Sequence, residues 1–282
     1  MKRFFLLFFA FFVGYIIGYE SKYITRNFIN NTIRIILNKN NSIEQKIPQS
    51  IEYKEVNCPA SSFQIAYFGQ SNSGNSVKTK SKINLPNNLY QYDWQSRKCY
   101  KYKEPLIGTT GYGGNVITYT AVKLSSEINK PIVIIPFGKG GSSVFEWAYG
   151  NLAFHHDLVL GNIKNYDLYP QLFLWHQGES DHGISQNKYK DALQVILDKT
   201  RNYFPKSSFG IALATRCQNK EWQPVRAAQQ EIIISNKNTF MSADSDKVYN
   251  KKFRYDFCHF SNLGAQKLGD IYYESIKNFF NY

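Results

Sequence analysis

The sequence predicts an α/β protein with three layers, in which helices cover both faces of a mainly parallel β-sheet. Short, mainly apolar runs at residues 63–68, 131–136 and 172–175 are typical of strands that are buried on both faces. Longer segments with helical periodicity lie between such runs or follow them, for example residues 187–204. Strands that alternate with helices predict parallel pairing, because each helix carries the chain back to the start of the next strand.

The same patterns assign the remaining elements of this α/β/α architecture. Residues 116–128 are predicted to form a helix after a glycine-rich turn, and residues 209–214 a further strand. Residues 224–235 and 262–280 are predicted to be the last two helices, and Ser261 is expected to cap the final one.

Residues 76–106 do not fit this alternation. They are polar and rich in tyrosine, and they show no clear periodicity. A loop of this length is uncommon inside a compact domain unless it has a function. We therefore expect an insertion that faces the substrate.

Residues 1–19 are predicted to be a membrane anchor or a signal peptide, outside the fold. Lys2 and Arg3 precede an uncharged apolar run at residues 4–19, which is shorter than the ~20 residues that span a bilayer comfortably. No clear cleavage site follows, which favours an uncleaved anchor, with a secreted protein as the alternative. In both cases the rest of the chain is expected to be periplasmic or extracellular.

The segment after the apolar run is predicted to be a linker. Residues 20–57 are polar for the most part and only weakly periodic, as a stalk between membrane and domain can be. The globular domain is therefore expected to occupy residues 58–282.

The charge of the chain bears on its partners. The formal net charge is +13, but no basic run or recognisable nucleic-acid module accompanies it, so nucleic acid is not expected as a partner. An anionic polysaccharide or a membrane surface would make better use of the charge, and simple solubility is the alternative.

The chain has four cysteines, which fit an oxidising compartment. Their order suggests that Cys58 pairs with Cys99 and Cys217 with Cys258. Four unpaired thiols are the alternative. No CxxC motif occurs, which disfavours a structural zinc site.

Ser71 is the first candidate nucleophile. The motif GQSN at residues 69–72 follows a predicted strand, which places the hydroxyl at the carboxyl end of the sheet, where open α/β folds have their sites. A serine needs a base, a group that orients the base, and donors for the developing oxyanion. Asp256 and His259 stand three residues apart, so in a turn or a helix both side chains face the same way and can serve Ser71.

With three further motifs, the sequence resembles the SGNH hydrolase superfamily and, within it, the sialate O-acetylesterase-like carbohydrate esterases. The four motifs in chain order are GQSN at 69–72, GGN at 113–115, WHQGESD at 175–181 and DFCH at 256–259. The stretch from Gly140 to Trp147 also matches that subfamily. The resemblance covers residues 62–280 and implies an SGNH or flavodoxin-like fold, with an esterase domain at residues 58–282.

The resemblance also implies a role for each matching residue. Ser71 would be the nucleophile, His259 the general base and Asp256 the acid that orients it. Glu179 remains an alternative triad acid, because the glutamate of this motif has been considered for that role in relatives. Asn72 and Glu179 are otherwise expected to support the site.

The oxyanion hole is expected to consist of two backbone amides and one side chain. The amides would be those of Ser71 and Gly114, with Gly113 as the alternative if the register differs by one residue. The side chain would be Gln177, although asparagine is more frequent at this position in the superfamily.

These roles predict an exported serine esterase that removes O-acetyl groups from a carbohydrate, either sialic acid or a polysaccharide. The expected partners are this substrate and, through the amino-terminal segment, a membrane; no cofactor is expected. An acyltransferase that uses the same triad is one alternative, and an inactive carbohydrate-binding relative is another.

Several other residues have two interpretations each. His176 and Glu179, with Asp181 and His182, carry donor atoms for a metal, but HExxH spacing is absent and bracing of the loop is the simpler interpretation. The remaining alternatives are a sugar platform or core packing for Trp147 and Trp175, a surface or helix pair for His155 and His156, and a salt bridge or substrate contact for Arg226.

Overall fold

The structure is a computed structural model that describes residues 51–282. The anchor predicted at residues 1–19 and most of the stalk predicted at residues 20–57 lie outside the described residues. Within the described part of the chain, no helix is long and apolar enough to span a membrane.

The described residues form one sheet and six helices, with short 3-10 helices at Ser71–Ser73 and Ser245–Lys247. The strands are β1 (Glu55–Val56), β2 (Phe63–Gly69), β3 (Leu89–Asp93), β4 (Lys98–Lys101), β5 (Ile132–Pro136), β6 (Leu172–His176), β7 (Ser208–Leu213) and β8 (Thr239–Asp244). The helices are α1 (Val116–Glu127), α2 (Val144–Ala148), α3 (Asn151–Asn165), α4 (Gln186–Tyr203), α5 (Gln223–Ser235) and α6 (Asn262–Phe280).

The strands lie in the order β1-β4-β3-β5-β2-β6-β7-β8. From β3 to β8 across the sheet all neighbours are parallel, whereas β4 runs antiparallel to β3 and to β1. β2 lies between β5 and β6, so the loops that follow these three strands meet at the carboxyl edge of the sheet. Open α/β folds bind their ligands at this edge.

Side chains of β2 alternate between two cores, one on each face of the sheet. Ile65 and Tyr67 pack with α1 and α6. Ala66 and Phe68 pack with the helices from α2 to α5. The predicted three-layer α/β/α class is confirmed, and Ser261 caps α6 as expected by accepting from the Gly264 amide.

The expectation that residues 76–106 form an insertion is wrong. β3 and β4 lie within this segment, and β3 pairs with β5 in the middle part of the sheet. The burial of β3 comes from Leu89, Tyr92 and Gln91 rather than from an aliphatic run. For this reason the hydrophobic pattern of an ordinary buried strand is absent.

The helix α3 also falls in a segment to which the sequence assigned no helix. His155 and His156 lie on it and are 2% and 0% exposed. The ring of His156 packs 5.2 Å from the ring of Phe68. These two histidines are therefore a helical core pair, and the surface interpretation is wrong.

Two disulfides join the cysteines in the predicted pairs, Cys58 with Cys99 and Cys217 with Cys258. The first connects the segment before β2 to β4. This connection and the pairing of β1 with β4 bring Glu55–Val56, which the sequence assigned to the stalk, into the sheet. The second connects the loop after β7 to the loop before α6.

Replacing Cys58 and Cys99 together by serine is expected to lower the free energy of unfolding by about 3–4 kcal/mol. A cross-link between residues 41 positions apart restricts the unfolded chain, and its removal restores that freedom. Urea denaturation followed by circular dichroism measures the change. A loss under about 1 kcal/mol would contradict this account.

Candidate active site

Ser71 lies where β2 ends at the carboxyl edge of the sheet. Gly69 closes this strand with φ of 131°, and a β-carbon at this position would lie 2.1 Å from the backbone oxygen of His176. Only glycine permits so close an approach. The chain then turns at once into the 3-10 helix that begins with Ser71, whose side chain stays partly accessible.

The structure brings the three predicted triad residues together. His259 Nε2 lies 3.0 Å from Ser71 Oγ, and His259 Nδ1 lies 2.6 Å from Asp256 Oδ2. With its proton on Nδ1, the imidazole donates to Asp256 and accepts from the Ser71 hydroxyl. This is the arrangement by which a histidine removes a proton from a serine.

The Asp256 carboxylate is held in its ionised form. Burial alone would raise its pKa, but hydrogen bonds from the His259 side chain and from the amides of His259 and Cys258 outweigh burial and hold the pKa below its ordinary value. The two amides donate to Asp256 Oδ1 at 2.6 and 3.0 Å. An ionised Asp256 fixes the His259 tautomer and stabilises the imidazolium that forms when His259 takes a proton.

A buried arginine holds the loop that carries Asp256 and His259. Arg254 is 1% exposed, and burial lowers the pKa of its guanidinium from the ordinary value. The guanidinium donates to four backbone oxygens, those of Arg216, Ser245, Val248 and Cys258. This role cannot be seen in the sequence, since one arginine in a basic chain shows no distinguishing pattern.

Asn72 connects the turn at Ser71 with the triad loop. Its Nδ2 donates to Glu179 Oε1 at 2.7 Å and to the backbone oxygen of Cys258 at 3.3 Å. Glu179 Oε1 also lies 3.2 Å from His176 Nε2. Thus Asn72 and Glu179 support the loop, and Asp256, rather than Glu179, is the carboxylate in contact with His259.

The Glu179 carboxylate is fully buried. Burial alone would raise the pKa of this carboxylate, but the interactions with the His176 imidazole and the Asn72 amide outweigh burial and lower the pKa to about 2. On the other side of His176, Nδ1 lies 2.9 Å from the Tyr272 hydroxyl. A buried polar chain therefore extends from α6 through His176 and Glu179 to Asn72, next to the candidate nucleophile.

The structure does not support Gly114 as an oxyanion donor. The Gly114 amide donates to the backbone oxygen of Val77 at 3.2 Å, and the Gly113 amide donates to that of Asn75 at 2.9 Å. The amides of Gly113 and Gly114, the two alternatives of the prediction, therefore both donate to the segment that follows Ser71. A β-carbon on Gly114 would lie against the Thr79 backbone oxygen and the Glu104 carboxylate rather than against Ser71, so the prediction of Gly114 is corrected.

The side chain of Gln177 is likewise turned away from Ser71. Its Nε2 lies 3.1 Å from the Ser142 oxygen and 2.5 Å from Asp181 Oδ2, and its Oε1 accepts from the Tyr189 hydroxyl at 2.8 Å. Gln177 is 0% exposed. In this structure it braces the loop after β6, and its amide is not free to receive an oxyanion.

A different glycine turn lies against the nucleophile. Residues 138–141 follow β5, the neighbour of β2, and a β-carbon on Gly140 would lie 3.7 Å from Cβ of Ser71. The Gly140 amide donates to Thr110 Oγ1 at 2.8 Å. This glycine turn follows a predicted strand, and loops after adjacent parallel strands converge. Its place beside Ser71 could therefore have been predicted if the order of the strands had been known.

The other candidates have structural roles. His176 faces Glu179, Asp181 accepts from Gln177, and His182 lies 2.7 Å from the Thr215 oxygen, so the proposed metal ligands have separate partners. Among residues 51–282 no group of three or more His, Cys, Asp or Glu side chains is arranged to hold a metal.

The structure also decides between the two interpretations given for the tryptophans and for Arg226. Trp147 and Trp175 are both 0% exposed and belong to the core, so neither is a platform for a sugar. Arg226 pairs with Asp244 at 2.7 Å and with Asp246 at 3.0 Å, which supports the salt-bridge interpretation.

A serine, a histidine and an aspartate joined by hydrogen bonds at the carboxyl edge of a parallel sheet are the arrangement of a serine hydrolase. Comparison with known families is more specific. Residues 67–278 match the family described as carbohydrate esterase, sialic acid-specific acetylesterase, and the chain belongs to this family. It is therefore a carboxylic ester hydrolase that acts on O-acetylated carbohydrate. A search among curated proteins finds no match.

Solved structures share the fold. A protein of Arabidopsis thaliana is 17% identical, with a TM-score of 0.63 over 79% of this chain and 100% of that one. A carbohydrate acetylesterase from Xanthomonas citri is 14% identical, with a TM-score of 0.52 over 77% of this chain and 55% of that one. A protein named NanS is 14% identical, with a TM-score of 0.53 over 80% of this chain and 99% of that one. At these identities the likeness concerns the fold.

Asp256→Asn is expected to lower kcat for p-nitrophenyl acetate by about 10³–10⁴-fold, the scale found for this change in serine proteases, because an amide no longer selects the His259 tautomer. Glu179→Gln is expected to cost about tenfold or less, since Glu179 acts through Asn72. Steady-state kinetics on variants with unchanged circular dichroism measure both. If Glu179→Gln were the more damaging change, Asp256 would not be the triad acid.

Replacing Cys217 and Cys258 together by serine is expected to lower kcat about tenfold or more, because Cys258 lies between Asp256 and His259. The matched control is the serine variant of Cys58 and Cys99. Its cysteines are also 41 residues apart and it loses a similar cross-link, but it lies outside the triad loop. Equal kcat values for the two folded variants would show that the second disulfide does not position the triad.

Proposed function

We propose that this chain is an exported serine esterase that removes O-acetyl groups from a carbohydrate through an acyl-enzyme on Ser71. The single observation that supports this most strongly is the continuous contact from Asp256 through His259 to Ser71, at 2.6 and 3.0 Å. The family supplies the class of ester, and this contact supplies a nucleophile with its base.

The proposed reaction has two halves. His259 Nε2 takes the Ser71 proton while Oγ attacks the acetyl carbonyl, and the tetrahedral intermediate then breaks its bond to the sugar oxygen, which receives the proton from His259. The acetyl group now resides on Ser71. His259 next takes a proton from water, the resulting hydroxide attacks the acetyl ester, and acetate leaves as Ser71 regains its proton.

For the oxyanion we propose the backbone amides of Ser71 and Gly140. Gly140 lies against Ser71, and its amide now donates to Thr110 Oγ1, a contact that an oxyanion would replace. Removing one such donor typically costs about 10²–10³ in rate. This assignment takes the place of Gly114 and Gln177.

The proposed compartment is extracytoplasmic, with the enzyme either anchored at a membrane or secreted. The two disulfides support an oxidising environment. The apolar run at residues 4–19 after Lys2 and Arg3 supports export.

Ser71→Ala is expected to lower acetate release from an O-acetylated sugar by at least about 10³-fold, because no other group can carry the acetyl. The full-length protein in a non-ionic detergent is used, and acetate is measured enzymatically. The control is Ser76→Ala, because the hydroxyl that lies 3.0 Å from His259 Nε2 is that of Ser71. A fluorophosphonate should add its mass to the wild type and not to Ser71→Ala.

Retention of more than a few per cent of the wild-type rate by Ser71→Ala would contradict the serine mechanism. A parallel reaction with an unacetylated acceptor glycan separates hydrolysis from transfer. Acetyl appearing on the acceptor in preference to free acetate would make the protein an acyltransferase instead.

A further inference from the structure

Exposed lysines surround the segment that follows His259. They are Lys78, Lys80, Lys251, Lys252 and Lys267, and we call them the basic patch. Three contacts place the patch there: the Lys78 amide donates to the Phe260 oxygen at 3.0 Å, Ser261 Oγ donates to the Lys252 oxygen at 2.6 Å, and Asn262 Nδ2 donates to the Lys80 oxygen at 3.3 Å. The patch therefore borders the triad.

Two lysines of the patch share one aromatic ring. Lys252 Nζ lies 5.0 Å from the centroid of the Phe253 ring, and Lys267 Nζ lies 4.8 Å from it. An ammonium is attracted to the face of such a ring. The Phe253 ring thereby holds two positive charges close together.

The charge of the patch is not neutralised by the residues the structure describes. Within residues 51–282 none of the five lysines forms an ion pair, whereas Lys98, Lys190 and Lys199 all do. Asp270, which follows Lys267 on α6, pairs with Lys123 at 2.8 Å instead. An uncompensated cluster raises the local positive potential and attracts anions.

A groove of about 570 Å³ adjoins the patch along the outer face of α6. Its apolar lining comes from Phe253, Leu263 and Ile271. The charged residues that line it are Lys267, Asp270 and Glu274, and Asp270 is paired with Lys123. Sugar rings combine apolar faces with hydroxyl groups, so such a groove suits them.

We propose that the basic patch binds the chain of an anionic polysaccharide while an acetyl ester of that chain occupies the site at Ser71. This inference rests on the proposed function and names the class of its substrate: a polymer with repeated carboxylates. A long substrate has to extend past Ser71. The basic patch offers it positive charge, and the adjoining groove offers it an apolar surface. A lipid bilayer on the same patch would instead cover the edge of the sheet at which the substrate enters.

The test compares two variants with the same change in charge. The patch variant is K78Q/K80Q/K252Q/K267Q. The control variant replaces exposed lysines in or beside the turns before β5, β6, β7 and β8, at the opposite edge of the sheet, and is K130Q/K164Q/K206Q/K237Q. The full-length protein is used in a non-ionic detergent, and circular dichroism checks the fold. The double variants K78Q/K80Q and K252Q/K267Q replace the patch variant if it does not fold.

Binding is measured without turnover, by fluorescence anisotropy with labelled, unacetylated polygalacturonate. At about 50 mM salt the patch variant should bind at least about tenfold more weakly than the wild type, and the control variant within about twofold of it. With O-acetylated polygalacturonate the patch variant should show a KM raised by a similar factor and an unchanged kcat. Hydrolysis of p-nitrophenyl acetate, which is too small to reach the patch, should not change.

Equal weakening of both variants would show an effect of net charge alone and overturn the proposal, as would a wild type without affinity for polygalacturonate. In mixed micelles, a patch variant that loses binding to phosphatidylglycerol but keeps its affinity for polygalacturonate would assign the patch to a lipid surface, which also overturns it. Polymer binding does not need the triad. An inactive enzyme that still binds polygalacturonate through the patch would therefore contradict the proposed function, whereas an active enzyme whose patch variant binds as the wild type does would overturn this inference alone.

Discussion

The buried guanidinium of Arg254 is the interaction on which the position of the triad depends. A buried charge is costly unless it is well hydrogen-bonded. Four bonds from this guanidinium reach backbone oxygens in three separate segments: Arg216 after β7, Ser245 and Val248 after β8, and Cys258 in the triad loop. The cost of the buried charge therefore favours the one arrangement in which these segments meet. His259 reaches Ser71 as a consequence of that arrangement.

The sequence predicted those parts of the fold in which local pattern and tertiary environment agree. β2, β5, β6 and β7 lie inside the sheet and carry mainly apolar runs, so their positions were predicted to within one or two residues. β8 is an edge strand in which Met241 is 47% exposed, so a search for such runs does not find it. β3 was missed because tyrosine and glutamine fill its buried positions.

The candidate triad could be predicted from local sequence spacing, whereas the candidate oxyanion donors could not. Asp256 and His259 are three residues apart, and this local spacing is visible in the sequence. The donors for the oxyanion depend instead on which loops become neighbours once the sheet has formed. Gly140 approaches Ser71 because β5 pairs with β2, and Gln177 is buried because Tyr189 and Asp181 hold it. Motif order alone contains neither fact.

The hydrogen bond between Ser71 and His259 joins residues 188 positions apart. Ribosomes make the amino-terminal part of a chain first, and contacts between distant residues form late in folding. A growing chain therefore has its serine long before it has the base, and the loop with His259 is held only after β7 and β8 have been added. A chain released before residue 259 would therefore contain Ser71 without the histidine that is placed to take its proton.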